Sequence, residues 1–107
     1  MAVFAKVHLI SPAEAQDIMV DGDPIVLDVR TPKEYASGHI EGAINLPLDD
    51  LNDHTAKAAL PNKNREVVVY CKSGVRSSIA CGMLSEMGYD EIHDMIGGID
   101  AWPFGTV

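Results

Sequence analysis

A chain of 107 residues that is 47% hydrophobic is sized for one compact domain over residues 1–107 with a core of its own. Its net charge of −8, with eight basic residues scattered among sixteen acidic ones, excludes a nucleic-acid partner, because a negative field without a basic patch repels phosphate backbones. No apolar run approaches the ~18 residues of a transmembrane helix and residues 1–5 are too short for a secretory signal, so no membrane partner is expected; two cysteines fit a reducing cytoplasmic compartment.

In chain order, residues 6–10 are predicted to form a short strand. Ser11-Pro12-Ala13-Glu14 then reads as a capping box with proline at the first helical position, opening a helix to about residue 20. Asp21-Gly22-Asp23-Pro24 is a turn before a buried strand at 25–29. The capping pattern recurs at Thr31-Pro32-Lys33-Glu34, and Gly38 should stop that helix early. A brief strand at 43–46 ends on Pro47, followed by a helical stretch over 48–60 and a polar connection at 61–65. Residues 66–70 read as a strand buried on both faces, because Val67, Val68 and Val69 run without polar alternation. After a loop and an amphipathic helix, Gly88-Tyr89-Asp90 turns into a last strand at 91–95, and Gly97-Gly98 opens a tail with Trp102 and Phe104. Strands alternating with short helices imply an α/β fold with a mostly parallel sheet covered on both faces, whose ligands bind beyond the strand carboxyl ends.

Cys71 stands at such an end. Lys72, Ser73, Gly74, Val75 and Arg76 are expected to form a tight loop, since Ser78, Ile79, Ala80, Met83, Leu84 and Met87 fit a helix face. Gly74 allows successive N–H groups to converge on an anion, and the new helix adds the positive end of its dipole. A free cysteine titrates near 8.5, and helix N-termini with adjacent cations bring it to roughly 3.5–7.5, so Cys71 is expected to carry substantial thiolate at neutral pH.

Three separated motifs carry a resemblance. Asp28-Val29-Arg30, followed by Glu34-Tyr35 and by the run from Gly38 to Pro47, is similar to the N-terminal signature of the rhodanese family of sulfurtransferases. Cys71-Lys72-Ser73-Gly74-Val75-Arg76-Ser77 resembles that family's active-site loop, and Gly97-Gly98-Ile99-Asp100-Ala101-Trp102 its C-terminal element. The resemblance spans nearly the whole chain. It implies a rhodanese-like three-layer fold with a five-stranded parallel sheet between helices, and a Cys71 persulfide that carries sulfane sulfur from a small-molecule donor such as thiosulfate to cyanide, a thiol or a protein acceptor. On that reading no metal or organic cofactor takes part. Arg76 would offer a bidentate fork and Lys72 a mobile charge to an oxyanion donor, with Ser73 and Ser77 adding hydroxyl donors or capping the helix.

Two other readings stay open. Cysteine-dependent phosphatases and arsenate reductases also close a thiolate loop with arginine, but their loop is one residue longer than the four residues between Cys71 and Arg76. A noncatalytic rhodanese module that binds a partner is the other. Asp28 and Arg30 share one side of a strand by its period of two and should form an ion pair that shapes the site. Cys81 is expected to pack, His39 to make structural hydrogen bonds, Trp102 and Phe104 to cover the sheet edge, and Asp49, Asp50 and Asp53 to form a solvated face. Met83, Met87 and Met95 read as core or rim filler. His8, His39, His54 and His93 show no ligand spacing with each other or with the cysteines, so no metal centre is expected.

Overall fold

The computed structural model describes residues 6–107, so the signal reading of residues 1–5 lies outside the described residues. Five strands, β1 (Val7–Ile10), β2 (Ile25–Asp28), β3 (Ile44–Asn45), β4 (Val67–Tyr70) and β5 (Ile92–Met95), form one sheet in the order β1-β5-β4-β2-β3. All four pairings are parallel, so the sheet is wholly rather than mostly parallel. The helices are α1 (Pro12–Asp21), α2 (Pro32–Ala36), α3 (Asp53–Ala59) and α4 (Val75–Glu86), with 3₁₀ turns at Leu48–Asp50 and Gly98–Ala101.

Both expected capping boxes form. Ser11 Oγ accepts from Glu14 N at 3.1 Å while Glu14 Oε1 accepts from Ser11 N at 2.8 Å, and Thr31 and Glu34 repeat the exchange at 3.2 and 3.0 Å. Such caps contribute about 0.5–2 kcal/mol each. The stretch at 48–60 divides: Leu51 is extended, and Asn52 caps α3 afresh by accepting from Thr55 N at 3.0 Å. The third strand shrinks to two residues because it pairs only with β2 and lies at the sheet edge.

The central strand β4 is buried throughout and sends alternate side chains into two separate layers. Val67, Val69 and Cys71 join Leu27, Leu60, Cys81, Leu84 and Ile92 on the α3/α4 side. Val68 and Tyr70 join Ile10, Ala15, Val26, Ile40 and Met95 on the α1/α2 side. Trp102 packs against this second layer, so it covers a face rather than an edge of the sheet. The consequence for function is positional: the middle strand, packed on both faces, delivers residue 71 to the carboxyl end of the sheet with little freedom to move.

Candidate active site

Cys71 leaves β4 and the chain turns at once. Gly74 adopts φ 112°, a conformation that L side chains rarely take, and caps α4, which starts at Val75. Val75 and Arg76, expected in the loop, therefore form the first turn of the helix. Ser78 N donates to Gly74 O at 3.2 Å, so the N–H groups of Val75, Arg76 and Ser77 precede the first intrahelical bond and are free to point at an anion. Gly74 N donates to Cys71 Sγ at 3.1 Å. Cys71 as a residue is only 1% exposed. That burial pushes the thiol pKa up, but the backbone and hydroxyl of Ser77 and the N–H groups of Gly74 and Ser73 outweigh it and hold the pKa below the usual cysteine value. Backbone and hydroxyl donors lead the lowering, in line with the expected convergence of loop N–H groups, and neither adjacent cation is among its leading causes.

Both cations are engaged elsewhere. Arg76 Nη1 and Nη2 donate to Glu34 Oε1 and Oε2 at 2.7 and 3.0 Å, so the guanidinium fork expected to face a donor is closed by a carboxylate from α2. Hydrogen bonding to Arg76 and to Thr31 N in turn holds the Glu34 carboxyl at about 2. One carboxylate thus caps α2 and fastens α4 to it. Lys72 Nζ lies 3.0 Å from Asp100 Oδ2 in an exposed pair at the loop mouth.

The loop is braced from behind by the 3₁₀ turn at Gly98–Ala101. Ile99 N donates to Cys71 O at 2.9 Å and Asp100 N to Lys72 O at 3.0 Å. Gly98 makes this possible: with φ 60°, a Cβ there would run into the carbonyls of Cys71 and Lys72. The glycine pair read as the start of a tail is the seat on which the loop rests.

Asp28 and Arg30 meet as expected, and more tightly. Arg30 Nη2 donates to Asp28 Oδ2 at 2.6 Å and to Gly38 O at 2.7 Å, while Asn45 Nδ2 donates to the carbonyls of both residues at 3.0 and 2.9 Å. Both charges are buried, Asp28 fully, and the many hydrogen bonds offset the desolvation such a pair suffers. Because Val29 N donates to Tyr70 O at 3.1 Å, this knot lies beside the residue preceding Cys71 and fixes the strand end from which the loop departs. His39 stacks on Tyr35 at 3.7 Å with Nδ1 2.9 Å from Tyr35 O, a structural role as expected.

Asp94 was not foreseen. It lies in β5, is 4% exposed, leaves Oδ1 without a partner and has its pKa raised by burial. With Leu9, Ser73, Gly74, Val75, Ser78 and Ile96 it lines a groove of about 360 Å³ beside the loop. Its strand spacing carried no local signal, since only the parallel register of β4 and β5 brings it to the loop. Cys81, also 1% exposed, has its thiol pKa raised by burial and by the charges of Asp94 and Cys71.

The rhodanese-like domain model matches residues 11–103, and the chain belongs to that family. Among curated proteins, it is 44% identical over 71 residues to the thiosulfate sulfurtransferase PspE of Escherichia coli, covering 66% of this chain and 67% of that one. It is 33% identical over 93 residues to the thiosulfate sulfurtransferase GlpE of Coxiella burnetii, covering 87% and 84%. Among solved structures, a rhodanese-related protein from Thermoplasma volcanium superposes with a TM-score of 0.79 at 31% identity, covering 94% of this chain and 97% of that one.

Proposed function

We propose that the chain is a sulfurtransferase of the thiosulfate sulfurtransferase type, working through a persulfide on Cys71. The observation that carries this reading is the thiol itself, buried under the N–H of Gly74 at the start of α4 with its pKa lowered. The relatives named thiosulfate sulfurtransferase support the class of reaction. In the first half-reaction the Cys71 thiolate attacks the outer sulfur of thiosulfate; a new S–S bond forms, the S–S bond of thiosulfate breaks, and sulfite leaves with the electron pair. In the second, a nucleophilic acceptor attacks the terminal sulfur and Cys71 is released as thiolate. The same donors, N–H groups of Ser73, Gly74 and Ser77 with the Ser77 hydroxyl, stabilise the charge before and after transfer.

Burial of Cys71 shapes the order of events. The donor must bring a slender terminal sulfur down to Sγ, which the outer atom of thiosulfate does. Persulfide formation then moves the reacting atom outward by about 2 Å, the length of an S–S bond, so the acceptor need not enter as far. Acceptors as small as cyanide or as large as an exposed protein thiol fit that geometry. Lys72 keeps a supporting role at the loop mouth, and Arg76 acts through the N–H groups that Glu34 leaves free. Asp28 and Arg30 serve as support. A reducing cytoplasmic setting agrees with two free cysteines. The short ring and the occupied guanidinium fork count against phosphoryl chemistry.

Intact-protein mass spectrometry before and after thiosulfate tests the reading. A dithiothreitol-reversible gain of about 32 Da, one sulfur atom, mapped to Cys71 is expected. No gain with thiosulfate or with other sulfane donors overturns it in favour of a binding module.

A further inference from the structure

At the amino end of the sheet, opposite the catalytic loop, three potential metal ligands converge. Glu66 directly precedes β4, Glu91 directly precedes β5, and His93 follows two residues later. The parallel register that sets Val67 beside Ile92 sets the two glutamates side by side, and the two-residue period of β5 brings His93 to the same side as Glu91. One ligand atom from each residue lies within 4.8 Å of the others, the one such group among the described residues.

His93 is what distinguishes the cluster from a surface accumulation of acid. Its side chain is only 12% exposed; its Nε2 pairs with Glu66 Oε2 at 2.8 Å, and Nδ1 is buried without a partner. A ring nitrogen buried without a partner costs free energy, and a metal ion that takes an imidazole nitrogen as ligand would offset that cost. The two carboxylates, drawn together in a chain of net charge −8, are a second unfavourable arrangement that a dication reverses. Tetrahedral ligands at 2.0–2.2 Å from zinc stand about 3.3–3.6 Å apart, inside the span this group already occupies. His93 lines a groove with His8, Glu14 and Asp17, and the rings of His8 and His93 are 5.3 Å apart on paired strands.

We propose that Glu66, Glu91 and His93 form a binding site for a divalent transition ion of the zinc class, completed by water or by His8. The donor set of one imidazole nitrogen and two carboxylate oxygens suits such an ion better than calcium or magnesium, which favour all-oxygen shells. The site is structural: Glu66 and Cys71 flank β4 at opposite ends, five residues and about 16 Å apart at strand rise, so the ion clamps β4 to β5 and takes no part in sulfur transfer. Ligand spacing along the chain did not reveal it because the ligands come from two strands joined only by register.

The test is titration of the full chain carrying Cys71→Ser, which removes the competing thiolate, with zinc by calorimetry and with cobalt by visible absorption. One equivalent of zinc, a cobalt d–d band, and a rise in Tm with zinc concentration are expected. Glu91→Gln, at an exposed position where folding is not at risk, and His93→Ala should each weaken binding tenfold or more, while His54→Ala leaves it unchanged. Absence of stoichiometric binding, or binding that Glu91→Gln and His93→Ala do not alter, overturns the proposal. Sulfur loading of the unaltered protein, measured separately, is independent of either result.

Discussion

Cys71 and Cys81 are equally buried, ten residues apart along the chain, and titrate in opposite directions. Both lose solvent, which by itself favours the neutral thiol. Cys71 regains more than it loses because it precedes α4, where N–H groups have no helical partners; Cys81 lies within α4, where those groups are spent on the helix itself. On the proposed mechanism, reactivity is therefore a matter of which side of a helix start the sulfur occupies, and burial becomes an asset only when donors accompany it.

The largest way to break the comparison is to exchange the residues for serine. Cys71→Ser should abolish sulfur transfer, whereas Cys81→Ser should retain it in full; a steady-state assay from thiosulfate to cyanide reads both. Next is Gly98→Ala, whose methyl group overlaps the carbonyls of Cys71 and Lys72 and must lift the loop off its support. We expect a rate loss on the order of 10²-fold, comparable to loss of a preorganised donor, with Gly105→Ala, also at positive φ but meeting no neighbour, as the control for backbone strain without a clash.

Ser77→Ala sharpens the comparison by making Cys71 more like Cys81. Removal of its hydroxyl should move the midpoint of the pH profile for iodoacetamide alkylation upward, and an unmoved midpoint would assign the thiolate to backbone donors alone. The smallest effect belongs to Glu34. Its carboxyl falls from 4.5 to about 2 on folding, so the stabilisation it contributes is complete above pH 4.5 and is lost as pH drops toward 2. Glu34→Gln should flatten that part of an acid-unfolding curve and raise the mobility of Arg76, with a rate change of severalfold at most.

Local signals carried most of the fold. Both Ser/Thr-Pro-x-Glu boxes announced their helices because cap and partner lie three residues apart, and the valine run of β4 announced a central strand because only burial on both faces tolerates it. The break inside 48–60 was missed since Asn52 and Thr55 make a weaker version of the same box. At the site, the cysteine, the glycine turn and the helix start could be read from the sequence. The partners of Arg76 and Lys72 could not, because Glu34 is 42 residues away and Asp100 is 28. Asp94 and the glutamate–histidine group were hidden for a similar reason, as strand register is a tertiary fact.

The brace at Gly98–Ala101 also bears on when the protein becomes chemically competent. The proposed nucleophile stands at position 71, but its carbonyl and that of Lys72 find their partners only when residues 99 and 100 have been added and folded back. During synthesis the strand, the helix and most of both cores can assemble around a thiol whose cradle is still unfinished. Completion of the cradle around Cys71 is thereby tied to the synthesis of residues 98–101, and a chain that lacks that turn carries the cysteine without its support.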